Sequence, residues 1–110
     1  MQEKANIKLS SISIAEYNIG SIINTTNTKV ELRDVKIEEN KYHTSLINIE
    51  DGSLLIGKGV IVERNEGQEA TEKFINVGED ITVEEEGEFK GAENKIIRSK
   101  TLKQTIVLSK

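Results

Sequence analysis

The chain has no cysteine, no proline and no tryptophan, and only one histidine and one methionine among its 110 residues. Without cysteine there is no disulfide, no thiolate metal site and no cysteine nucleophile. Without proline, no strand is confined to a sheet edge for want of an N–H. Aromatic residues make up 4% of the chain, so a core has to be built from Ile, Val and Leu, which favour strands. The formal net charge is -4 and the pI about 5.1, the opposite of the basic footprint of a nucleic-acid binder. No apolar run approaches the length of a membrane span. The opening MQEKANIKLSS has no apolar stretch of the kind a secretory signal needs.

What the chain does have is alternation. A length of 110 residues is one domain. Apolar residues recur at every second position in IKL, SISI, VEL, VKI, VIV and ITV, the period of strands with one buried face. These runs are short, and Gly, Asp, Asn and Glu separate them. The best helical stretch, EGQEATEKF at residues 66 to 74, is short and polar; it reads as a loop with at most one helical turn.

The runs also repeat. INIEDGSLLIGKGVIVERN, residues 47 to 65, has a counterpart upstream from Ile23 to Asn40 and another downstream from Ile75 to Asn94. Each opens on Ile-Asn: Ile23-Asn24, Ile47-Asn48, Ile75-Asn76. A first apolar pair follows (Val30/Leu32, Leu54/Ile56, Ile81/Val83), then a corner, then a second strand (Val35/Ile37, Val60/Val62, and a weaker one ending at Phe89). Each closes on Asn: Asn40, Asn65 and Asn94, 25 and then 29 positions apart. IIRSKTLKQTIVLSK, with Leu102, Ile106 and Leu108, reads as a truncated fourth copy. Residues 1–20 read as an N-terminal cap or first partial coil, and 21–108 as repeat units.

One such unit cannot bury its own apolar face, but stacked units bury a continuous column. The closing Asn residues suit sharp corners, because Asn tolerates the left-handed backbone region, and stacked Asn side chains can bond to one another as a ladder. In this order of strand, E-D-G-S turn, strand, corner, strand and Asn, the unit resembles a coil of the right-handed parallel β-helices, the pectate-lyase-like superfamily. The resemblance is one of repeat pattern over about residues 20 to 108. It implies an all-β fold, a short right-handed parallel β-helix of about four coils. It carries no catalytic motif with it, so no functional residue is transferred. A small antiparallel sandwich or barrel is the competing architecture, since Asn at turns is ordinary in any β protein.

Candidate chemistry is thin. Glu84, Glu85, Glu86 and Glu88, with Glu79 and Asp80 nearby, form the densest charge run. It reads as a face for a basic protein partner, against the plainer explanation of a solvated corner that blocks edge pairing. No metal is expected there, for want of an EF-hand or related spacing. His43 lies in ENKYHTS between two units, and a triad cannot be argued from one histidine. GKG at 57 to 59 lacks the rest of a phosphate loop and reads as a tight corner. Asp34, Glu50 and Asp51 are available carboxylates, but nothing pairs them for glycoside chemistry. Arg33 and Lys58 fall at matching corners of two units.

The expectation is therefore a non-enzymatic protein without cofactor, binding a macromolecule through its acidic corner, of the kind phages and mobile elements use to inhibit or sequester a host component. The competing expectation is a structural spacer or adhesin module of a longer β-helical surface or fibre protein. A protein partner is expected, with no nucleic acid and no membrane, and an end-to-end homo-oligomer is a natural outcome of uncapped coils. As a complete gene product it would be cytoplasmic; as a fragment it would belong to a cell surface or virion.

Overall fold

The computed structural model describes residues 5–67, 73–84, 86–90, 96–97 and 101–106, and among these there is no helix. In chain order the strands are β1 (Ala5–Ala15), β2 (Asn18–Ile19), β3 (Ile23–Thr26), β4 (Thr28–Glu38), β5 (Lys41–Tyr42), β6 (Ser45–Glu50) and β7 (Ser53–Ile56). They continue as β8 (Ile61–Glu63), β9 (Glu66–Gly67), β10 (Lys73–Val83), β11 (Glu88–Lys90), β12 (Ile96–Ile97) and β13 (Thr101–Ile106).

The strands stack in parallel as a β-solenoid of about three turns. On the first face, Ile7 lies on Val30, Val30 on Leu54 and Leu54 on Ile81. On the second, Ile14 lies on Ile37, Ile37 on Val62 and Val62 on Phe89. On the third, Ile23, Ile47 and Ile75 align, and so do Asn24, Asn48 and Asn76. A narrow three-stranded step, β2–β5–β9, joins the second face to the third. The Ile-Asn openings found in the sequence are thus one position of successive coils.

Period-two alternation makes this work. Val30, Leu32, Val35 and Ile37 of β4 point inward and are fully buried, while Lys29, Arg33 and Lys36 between them are exposed. Among the described residues, the interior is one aliphatic column with two aromatic members, Tyr42 and Phe89. Stacking is how coils this narrow bury surface, since one coil cannot bury its own apolar face.

Corners fall at fixed places. Ser11, Asp34 and Gly59 hold positive φ at the first corner, Glu16, Glu39 and Arg64 at the second, and Asn27 and Asp51 at the third. Asn65 was expected in the left-handed region, and this is corrected: Arg64 takes that conformation, with φ 55°. Likewise Glu39, not Asn40, has φ 56°. The corner turns one residue earlier, which leaves Asn40 and Asn65 free to aim their amides into the stack. Asn94 lies outside the described residues.

The anticipated fourth copy is also corrected. Residues 96–97 and 101–106 do not wind a further parallel coil, and Leu108 lies outside the described residues. Instead β12 pairs antiparallel with β11, Phe89 facing Ile97, and β13 pairs antiparallel with β10, Ile75 facing Ile106 and Thr82 facing Thr101. The chain doubles back along its own last coil, and β13 becomes the last strand at that end.

Candidate functional site

Three features of the surface could carry function: the acidic corner, the Asn columns and the ends of the stack.

The acidic corner follows β10. Arg33 Nη1 and Nη2 donate to the two Glu84 carboxylate oxygens at 3.0 Å each, a two-pronged contact between residues 51 positions apart. Arg33 spans a whole coil to do this, passing Gly57, where an added Cβ would lie 2.9 Å from Arg33 Nη1. Glycine at 57 is therefore the gap through which the guanidinium reaches. The hydrogen bonds from Arg33 and its charge hold the Glu84 carboxyl below the usual glutamate range, against a smaller opposing effect of burial. Lys58 Nζ stands 3.6 Å from Glu86, and Lys90 Nζ 3.4 Å from Glu88. Glu85 lies outside the described residues. Each of the three described glutamates thus has a cation of its own chain beside it, which reduces the field the corner can offer a basic partner. Arg33 and Lys58, expected at matching corners, both turn toward this acidic run.

A second charged cluster was not singled out in the sequence. Glu63 accepts from Lys90 Nζ at 3.0 Å and from Arg64 Nη1 at 3.0 Å, and Arg64 also reaches Glu38 and Glu39. The hydrogen bond from Lys90 foremost, then the charge of Arg64, holds the Glu63 carboxyl below the ordinary range, against burial pushing it up. A carboxyl depressed in the folded state stabilises above its unfolded range, and that contribution is lost as the pH falls through its folded value. Glu63→Gln should therefore lower the melting temperature near neutral pH and flatten the acid limb of its pH profile, the two proteins converging at low pH. Melts across a pH series check this, and parallel acid limbs would remove Glu63 from the account.

The Asn columns are of two kinds. The inner one is buried. Asn65 Nδ2 donates to the carbonyls of Ile37 and Glu63, and its Oδ1 accepts from Asn40 N and Nδ2. Asn40 passes the pattern up, donating to Ile14 O at 3.1 Å and accepting from Tyr17 N at 3.1 Å. The outer one runs along the third face: Asn76 Nδ2 donates to Asn48 Oδ1 and Asn48 Nδ2 to Asn24 Oδ1. Such ladders hold coils in register; they present no convergent site. Among the described residues no group of three or more His, Asp or Glu is placed to hold a metal. His43 is exposed, and its N–H donates to Gly20 O.

The ends of the stack differ. The C-terminal end carries β12 and β13. At the other end β1 has a described neighbour on one side only, β4. Its inward residues are less covered than those below: Ile7, Leu9 and Ile14 are partly buried and Ile12 is 36% exposed, where Val30, Leu32 and Ile37 are sealed. Tyr17, just past β1, is 58% exposed. Thr25 takes the inward place that Ile49 and Val77 hold below, and its buried Oγ1 finds no hydrogen-bond partner among the described residues. A shallow groove of about 190 Å³, lined by Asn6, Ile7, Lys8, Lys29 and Glu31, runs along the same strand. An edge strand with open backbone groups and half-covered apolar side chains is a template for another strand.

No family model matches the chain, and no curated protein and no solved structure matches it.

Proposed function

We propose that this chain is a non-enzymatic protein-binding module that takes a strand of its partner onto the open edge of β1. The observation that carries this is the difference between the two ends: one finishes on the short antiparallel strand β13, of six residues, and the other offers an 11-residue edge with half-exposed Ile and Leu. Main-chain pairing would supply affinity and the exposed apolar positions would supply selectivity, as in other strand-addition contacts. A sequestering or inhibitory protein of phage or mobile-element type fits this mode, working without cofactor. The likeness to the right-handed, pectate-lyase-like β-helices belongs to the same proposal, supported by three parallel faces per coil and the buried Asn column. The acidic corner has less to recommend it as the contact, because Arg33, Lys58 and Lys90 stand against its carboxylates.

A structural-module reading, spacer or adhesin in a longer β-helix, also has an observation in its favour: the open edge keeps the register in which a further parallel coil would stack.

The test is capture from a lysate of the source organism with tagged wild type, with Lys8→Pro, and with a Glu84/Glu85/Glu86→Gln variant. Proline at an outward-facing edge position removes a donor needed for pairing while sparing the bonds to β4. A partner lost from Lys8→Pro and kept by the Gln variant is expected. Retention by Lys8→Pro would sink the edge reading, and no partner with any bait, a second copy of the chain included, would favour the structural module.

A further inference from the structure

The edge strand has a symmetry that says what fits it. This step rests on the open-end reading above and names the occupant. About the Ser10–Ser11 bond, β1 reads alike in both directions. Ser10 answers Ser11, Leu9 answers Ile12, Lys8 answers Ser13 and Ile7 answers Ile14. The centre of this palindrome coincides with the first corner, where Ser11 holds φ 55°. The strand is therefore two arms of similar length meeting at a bend, each with the same order of apolar and polar residues.

The backbone obeys the same symmetry. Ala5 N–H donates to Asn27 O, and Ile14 O accepts from Asn40. These two residues turn their polar groups into the stack. Alternation along each arm then turns those of Asn6 and Lys8, and of Ser13 and Ala15, to the open edge.

We propose that the occupant is a second copy of this chain, docked end to end about a two-fold axis through the Ser10–Ser11 corner. Each first arm lies antiparallel on the second arm of the other copy. Asn6 pairs with the partner's Ala15 and Lys8 with the partner's Ser13, all four with outward-facing backbone groups, as a hydrogen-bonded antiparallel pair requires. Ile7 then meets the partner's Ile14, and Leu9 the partner's Ile12, in the closer non-hydrogen-bonded positions, and the half-exposed apolar residues cover one another. No like charges oppose: Lys8 faces a serine. A shift of one residue in either direction would set apolar against polar side chains along both arms. The contact closes at two, since a two-fold contact uses the same patch on both copies.

The test is sedimentation equilibrium on the full chain as wild type, Ser13→Glu and Ser13→Lys. Ser13 is exposed, so neither change touches the core, and circular dichroism melts confirm that each variant folds. Wild type should sediment as a dimer. Ser13→Glu sets an opposite charge against Lys8 of the other copy twice per dimer and should tighten it roughly threefold to tenfold, and Ser13→Lys should loosen it by a similar factor. Added salt should shrink both effects. A monomer at the highest attainable concentration overturns the proposal. So does a dimer indifferent to both charges, which would place the contact elsewhere. A monomer that still captures another protein through a Lys8→Pro-sensitive contact rejects the second copy alone and leaves the open-end reading standing. A monomer that captures nothing rejects both.

Discussion

Gly52→Ala is expected to unfold the protein or bring it close to unfolding. Gly52 is the second residue of the third corner, where one coil passes to the next. A Cβ there would sit 1.9 Å from the Thr28 carbonyl oxygen and 2.5 Å from Ile49 Cγ2. Neither neighbour can give way. The carbonyl belongs to the backbone of the coil above, and Ile49 is sealed in the core. Relief requires the two coils to part locally, which breaks parallel pairs between β4 and β7. A loss above about 3 kcal/mol follows, in the range reserved for overpacking against fixed backbone. A domain whose whole stability is on the order of 5–15 kcal/mol has little room for that. Gly20→Ala is the control. Nothing lies within 4 Å of its added Cβ, so the change should stay within about 0.5 kcal/mol. Urea unfolding of the two variants beside wild type decides it, and coincident midpoints for Gly52→Ala and Gly20→Ala would show that the close approach does not exist.

The second large effect is at Asn65. The residue is 4% exposed and its amide makes four hydrogen bonds, to Ile37 O, to Glu63 O and to the backbone and side chain of Asn40. Replacing it with Leu keeps the bulk but leaves buried backbone groups of two coils without partners, each costing about 1–3 kcal/mol. A total loss of roughly 3–5 kcal/mol is expected. Gly at the same position should be no better, because the residue does not need left-handed freedom. Glu39→Gly should instead be nearly neutral. There, relief of a left-handed Cβ, about 1–2 kcal/mol, offsets the greater freedom glycine has in the unfolded chain, about 0.5–1 kcal/mol. Thermal or urea melts of the three variants separate the two causes. If Asn65→Gly proved mild and Asn65→Leu severe, the backbone angle and not the amide would govern the corner.

Much of the stack was legible because a solenoid writes its contacts as repeats. Ile23, Ile47 and Ile75 could be aligned from sequence because successive coils put the same residue type at the same inward position. The same logic placed Val30, Leu54 and Ile81 in register. Asn40 and Asn65 were found for a reason half correct. Their corner position showed in the spacing. The division of labour between a left-handed residue and the amide after it did not, since Glu and Arg are unusual in that conformation and nothing in their type announces it. The antiparallel return of β12 and β13 was hidden for another reason: Leu102 and Ile106 are spaced as well for an antiparallel strand as for a parallel one. Period two reports which face is buried and is silent on direction. The acidic corner was visible as charge, but its pairing was not. Arg33 and Glu84 are two coils apart, and only the bare surface of Gly57 between them allows the contact.

The stacking of coils also fixes how the molecule responds to load. Hydrogen bonds between coils run along the stack, so tension on the two ends of the chain pulls bonds open in sequence and does not shear a whole sheet at once. Failure of that kind proceeds as a zipper, at a low and nearly constant force, one coil after another. It starts where a strand is held from one side only, at β1 on β4 and at β13 on β10. The solenoid would thus pay out length from its ends in coil-sized steps and keep its middle coils folded longest.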